Sequence, residues 1–252
     1  MRELRIVGTV AVLGVGVYLV VVRRGSIEHS LSRLGSAQPG WIAVAVAAEL
    51  VSLVCYAALV RVLLQLGAVT VPFRALFSLT VIGIAMINSV PGGQAISTIY
   101  WYAQLRRYSV QRSVAAFALL VSSLVGIATL VLLTACGLAA GSHGFASQAR
   151  FPVLAVAALA AMGQTIPVRG VVVAYSLGQL VSAIPILPGG GGTIEATMSA
   201  GLVLAGGTGA VIAAVLLYRI VSAWGLVPLG WGLWRAMPNA HVAQLEPAAV
   251  PA

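Results

Sequence analysis

Val114–Ala140 runs for 27 residues without a charged side chain. About 20 such residues suffice for an α-helix to cross the ~30 Å hydrocarbon core of a bilayer. A helix that is apolar on every face belongs inside a large core or a membrane. The rest of the chain points the same way. Of its 252 residues, 60% are hydrophobic and 8% are charged, and the mean hydropathy is +1.05. A soluble domain carries about 25% charged residues. The apolar runs are too long for the ~10-residue alternating strands of a β-barrel. The sequence predicts an all-α, polytopic integral membrane protein.

Composition also limits the chemistry. The chain has no Asp and no Lys, so its 14 basic residues are all Arg. A Walker A lysine, a phosphorylatable aspartate, an Asp-x-Asp metal site and a Schiff-base lysine are impossible. An ATPase within this chain is excluded, and metal-dependent nucleotide-sugar transfer is disfavoured. His29, His143 and His241 lie in loops or the tail without ligand spacing. No cofactor and no metal are expected. Cys55 and Cys136 fall inside apolar runs and read as buried free thiols. The formal charge of +9 reads as arginines set against anionic headgroups, not as a nucleic-acid surface.

Met1–Arg5 followed by the apolar Ile6–Val22 has the outline of a signal peptide. Its apolar part is long, and Arg23-Arg24 follow in place of a small-x-small cleavage site, so a retained first helix is expected. Further helices are expected over Trp41–Val60, Ala75–Val90, Ala95–Leu105, Val114–Ala140, Val171–Leu187, Ile194–Gly206 and Gly209–Met237. Trp41 suits an interfacial anchor. Phe151–Met162 is too short for a full crossing. The helical membrane domain is thus assigned to residues 1–237, and residues 238–252 to a disordered tail rich in Ala and Pro.

Two interruptions carry the functional information. Pro91-Gly92-Gly93 and Pro188-Gly189-Gly190-Gly191-Gly192 begin 97 residues apart, each after an apolar helix and before a short small-residue helix. Paired Gly/Pro breaks in two halves are the sequence pointer to a transporter site built from broken helices. Such backbone is tolerated at membrane depth only where protein buries it or where it lines a wet cavity. The restarted helix then presents its free N–H groups, an anion site. The two breaks are expected to meet at a shared cavity, each at the tip of a re-entrant hairpin. Ordinary turns between spans are the plainer alternative.

Arginine placement bears on topology. With the first break at a hairpin tip, Arg2, Arg5, Arg61, Arg74, Arg106, Arg107 and Arg112 share one face, against Arg23, Arg24 and Arg33 on the other. The positive-inside rule then makes the N-terminus and that face cytoplasmic.

Glu49, Ser52 and Tyr56 share one helix face by their spacing. Ser122, Gly126 and Thr129 form a second stripe, and Tyr175, Gln179 and Ser182 a third. Small-residue stripes usually pack helices together. An ionisable group within a span is costly and marks function by default, which singles out Glu49, Glu195 and Arg219. Glu195 and Arg219 are 24 residues apart, with Gly206-Gly207 as a turn between them. They are expected to pair, either as a static lock between helices or as a gate opened by substrate. Arg219 is also expected to lend a positive charge to the cavity.

Pro188-Gly189-Gly190-Gly191-Gly192-Thr193-Ile194-Glu195, followed by Tyr218-Arg219, resembles the lysylphosphatidylglycerol synthase transmembrane family, a flippase-like bacterial membrane domain. That family's pattern is Pro-Gly-Gly, an apolar residue, Gly, two residues and Glu, with Tyr-Arg about two dozen residues on. Pro188, Gly189, Gly190, Gly192, Glu195, Tyr218 and Arg219 match it. Pro91-Gly92-Gly93 and the following Tyr102–Arg107 resemble its first half more loosely, and the resemblance extends over roughly Trp41–Arg235. There are departures. Gly191 replaces an aliphatic residue. Gln94 and Thr98 stand near an acidic and a basic position of many relatives. The stretch Ala140–Gly170 is shorter than in typical relatives.

The resemblance implies movement of an anionic phospholipid, an aminoacyl-phospholipid or a lipid-linked headgroup between leaflets, without enzymatic activity. The substrate-binding and gating residues would be Pro91, Gly92, Gly93, Gln94, Pro188, Gly189, Gly190, Gly192, Glu195, Tyr218, Arg219 and Glu49. Membrane lipids are the expected partners, and nucleic acid is not. The chain contains no length for a synthase domain, so lipid aminoacylation is not expected of it. The alternative is a non-transporting scaffold for a separate lipid- or glycan-modifying enzyme. A membrane enzyme using Glu195 as general base is a third reading, with few polar partners to support it.

Overall fold

The computed structural model describes residue 35 and residues 37–90, 92–139, 153–182 and 190–237. The expected first helix, the tail, and Pro91, Pro188 and Gly189 lie outside them. The described chain is helical: α1 (Pro39–Leu66), α2 (Phe73–Ser89), α3 (Gly93–Arg107), α4 (Arg112–Ala139), α5 (Val153–Ala161), α6 (Val168–Ser182), α7 (Thr193–Leu204), α8 (Val211–Arg219), a π turn (Ile220–Trp224) and α9 (Leu226–Ala236). Three stretches are long and apolar enough to cross a membrane: Pro39–Leu66, Arg112–Ala135 and Val211–Ala236. Within the last of these, α8, the π turn and α9 form one continuous rod.

Both breaks close helix hairpins. A Cβ at Gly93 would fall against Met86 O and the Ile87 backbone, and one at Gly83 would lie 2.9 Å from Ser97 Oγ. These contacts pair α2 and α3 antiparallel, with the break at the tip. In the second half, Gly178 faces Met198, Gly201 faces Ala174 and Gly170 faces Ala205, so α6 and α7 pair in the same sense. Small residues let the two backbones approach closely, which replaces the apolar driving force that lipid does not supply. At 1.5 Å per residue α2 and α3 are about 26 and 23 Å long, and α6 and α7 about 23 and 18 Å. Each falls short of the ~30 Å hydrocarbon core.

The hairpins open at opposite ends of α1. Gln38 N–H at its start donates to Ala161 O at the end of α5 (3.1 Å). Thr208, just before α8, donates to Gln164 Oε1 through its N–H (3.0 Å) and hydroxyl (2.9 Å). With the Gly170–Ala205 contact, this gathers the open end of the second hairpin beside the start of α1. At the other end, Leu63 and Leu64 of α1 share a core with Val71, Leu105, Val110 and Ala115, and Gly67 packs on Val114. The open end of the first hairpin is therefore beside the end of α1. Arg74, Arg106, Arg107 and Arg112 lie at the helix ends gathered there, as the arginine count anticipates.

Core formation follows the same division. One cluster joins Ala45 of α1 to α5, α6, α7 and α8. A second joins the later part of α1 to α2, α3 and the start of α4. Leu53, Val81 and Leu226 form a third, where α9 meets α1 and α2.

Several residues lie differently from their sequence reading. Cys55 is exposed, not buried, and the Cys136 side chain lies outside the description. Of the stripe on α4, Ser122 is buried while Gly126 and Thr129 are exposed. The reason is common to both cases: an apolar solvent removes the penalty for exposing apolar or small residues, so apolarity does not report burial. Thr129 satisfies its hydroxyl on its own helix, at Val125 O (2.7 Å).

The π turn has a local cause. Gly225 N–H bonds to Ile220 O at 2.7 Å, an i to i+5 bond. Pro228 has no N–H with which to continue the normal ladder one turn later. A Cβ at Gly225 would sit 2.8 Å from the Ile220 oxygen, so glycine suits this position.

Candidate functional site

Each restarted helix begins on a glycine with a positive φ. Gly92 precedes α3 with φ +70°, and Gly192 precedes α7 with φ +81°. Non-glycine residues rarely adopt such angles. Gly190 is buried beside the second break.

At the second break, Glu195 occupies the first turn of α7. Its Oε2 accepts the Gly192 N–H at 2.6 Å, and its Oε1 accepts Arg219 Nε at 2.7 Å. The side chains are 17% and 6% exposed respectively. Glu195 thus caps α7 and ties it to the end of α8. The predicted pair forms, but it consumes the Arg219 charge that was expected to serve the cavity. Next to Arg219, the Tyr218 hydroxyl accepts Gln179 Nε2 at 3.2 Å, and its ring packs edge-on against Tyr175 with centroids 6.1 Å apart. The Ser182 side chain lies outside the description.

At the first break there is a cavity of about 340 Å³. Glu49, Ser52 and Tyr56 line it from α1, Thr80 and Gly83 from α2, Gln94, Ser97, Thr98 and Trp101 from α3, and Ser122 and Ser123 from α4. The face predicted on α1 therefore meets the first break, where Gln94 was expected. Glu49 is the charged residue in that lining. It also lies near enough to Tyr175 and Tyr218 for its charge to act on both phenols.

Among the described residues of the second break, Gly190, Gly191 and Gly192, none lines this cavity. Among the described residues, a cavity lies at the first break and an ion pair at the second; the expectation of one shared cavity falls partly on Pro188 and Gly189, outside the described residues. The long last helix touches both regions, through Arg219 at Glu195 and through Trp231 Nε1, which donates to Ser89 Oγ at 3.1 Å. Sequence reading missed Thr80, Gly83, Ser97, Trp101 and Ser123. Gly83 opposite Ser97 was the available signal, but it becomes one only when the hairpin register is known.

A family profile described as "Lysylphosphatidylglycerol synthase TM region" matches residues 5–162, well over half the chain. The chain belongs to this family. The matched region includes the first break, Glu49 and the rest of the described cavity lining. It stops before Pro188, so the motif that carried most of the resemblance lies beyond it. It also begins earlier and ends sooner than the Trp41–Arg235 stretch. No curated protein and no solved structure matches the chain significantly. This family member is a multi-pass membrane protein with a lipid-related domain.

Proposed function

We propose that this protein moves a phosphate-bearing lipid, or a lipid-linked headgroup, between leaflets as a carrier and not as an enzyme. One observation carries the reading. A cavity whose mainly apolar wall carries Glu49, Gln94 and several hydroxyls lies among apolar helices at the tip of a hairpin too short to cross the bilayer. The hydroxyls of Ser52, Tyr56 and Ser97 and the amide of Gln94 can replace water around a headgroup while acyl chains stay in lipid; those of Thr80, Thr98, Ser122 and Ser123 donate to carbonyls of their own helices. The start of α3 adds the positive end of a helix dipole for a phosphate.

In this reading the two hairpins are re-entrant and form an inverted pair, entering from opposite faces. The arginine-rich end and the N-terminus are cytoplasmic, and the membrane is the bacterial inner membrane. Glu195 and Arg219 hold the second hairpin on α8 while the first hairpin carries the substrate path.

Leaflet-resolved lipid analysis of cells with and without the chain tests this. Loss of the chain should deplete a phosphate-bearing lipid from one leaflet and leave neutral diacylglycerol unchanged. An identical leaflet distribution in both strains would contradict transport and leave the scaffold reading.

A further inference from the structure

We propose that lipid movement is coupled to protons through Glu49, which is protonated while an anionic headgroup occupies the cavity. The inference rests on the transport reading and extends it to the energy source. Glu49 is half-buried in a 28-residue apolar helix and lines the cavity. Among the described residues that line the cavity there is no arginine, and Arg219 is paired with Glu195.

The groups facing Glu49 are neutral. Tyr56 stands on its own helix, Tyr175 on α6 and Tyr218 on α8. From α2, α3 and α4 the cavity receives hydroxyls, the Gln94 amide and the Trp101 ring. Arg219, beside Tyr218 in the chain, is held by Glu195.

An anionic phosphate in this cavity would face a carboxylate with no cation between them. Like charges at close range disfavour each other's ionised form. Protonation of Glu49 removes the conflict: carboxylate plus one aqueous proton gives the neutral acid, which can donate to a phosphate oxygen. The empty cavity then carries one negative charge on Glu49, and the loaded cavity one on a singly charged lipid. Loaded and empty forms cross with the same charge, and one proton accompanies each lipid.

The test uses the purified full chain in vesicles containing fluorescent phosphatidylglycerol and an enclosed pH dye. A pH step of one unit is a tenfold difference in proton activity, so it should bias the leaflet ratio by up to about tenfold. Inward lipid movement should acidify the vesicle interior by about one proton per lipid, and outward movement should alkalinise it. In Glu49→Gln vesicles, lipid and protons should be uncoupled, with no response to the gradient. A hydrophobic carbodiimide, which reacts with protonated carboxyls, should label Glu49 in the wild-type protein, and more so as pH falls. This arm stands even if Glu49→Gln does not fold. Lipid movement without proton flux or gradient response, or no labelling of Glu49 at any pH, would overturn the coupling while leaving transport intact. No lipid movement at all would defeat the transport reading, and the coupling with it.

Discussion

Glu195→Gln is expected to destabilise the protein by about 3–5 kcal/mol, the usual cost of breaking a buried ion pair from one side. Arg219 would keep its charge at 6% exposure, because a guanidinium does not deprotonate in proteins. The same substitution weakens the cap at Gly192 N–H, which now bonds a full carboxylate at 2.6 Å. Arg219→Gln should cost less, since Glu195 keeps the Gly192 N–H and the positive end of the α7 dipole as partners. The double variant, Glu195→Gln with Arg219→Gln, should recover most of the loss. Folded yield and thermal unfolding in detergent measure all three. If Glu195→Gln folds like the wild type but moves no lipid, the pair is a gate and not a lock.

Gly93→Val is expected to abolish lipid movement and cost about 3 kcal/mol, the upper end of overpacking effects. A Cβ at this position meets Met86 O and the Ile87 backbone, which no rotamer change relieves. The hairpin must open at its tip, which displaces Gln94 and Ser97 from the cavity wall. Gly126→Val is the control, because nothing lies within 4 Å of a Cβ there. It should leave unfolding and lipid movement close to wild type. Equal behaviour of the two variants would show that the α2–α3 contact is not what shapes the cavity.

These effects divide along what a sequence can express. Proline and glycine act locally, so both breaks and the helices around them were legible. The Glu195–Arg219 pair was legible because an unpaired charge in hydrocarbon is costly and the spacing offered one partner. The Glu49–Ser52–Tyr56 face followed from helical periodicity alone. What those three residues face did not. The cavity wall contributed by Thr80, Gly83, Ser97 and Trp101 depends on the register of α2 against α3, which Gly93 sets at long range. The charge expected from Arg219 was lost for the same reason: the sequence showed that it would pair, but not that pairing would hold it away from the cavity. Burial was the least legible property. Cys55, Gly126 and Thr129 face outward because lipid accepts them as readily as a core would.

The central claim is tested most directly by lipid reduction in vesicles containing the purified chain. Fluorescent phosphatidylglycerol in the inner leaflet is protected from an impermeant reductant unless it crosses. With the wild-type protein, the protected pool should become reducible. With Gly93→Val it should stay protected, as in protein-free vesicles. A folded wild-type protein that leaves the protected pool unchanged would contradict the account.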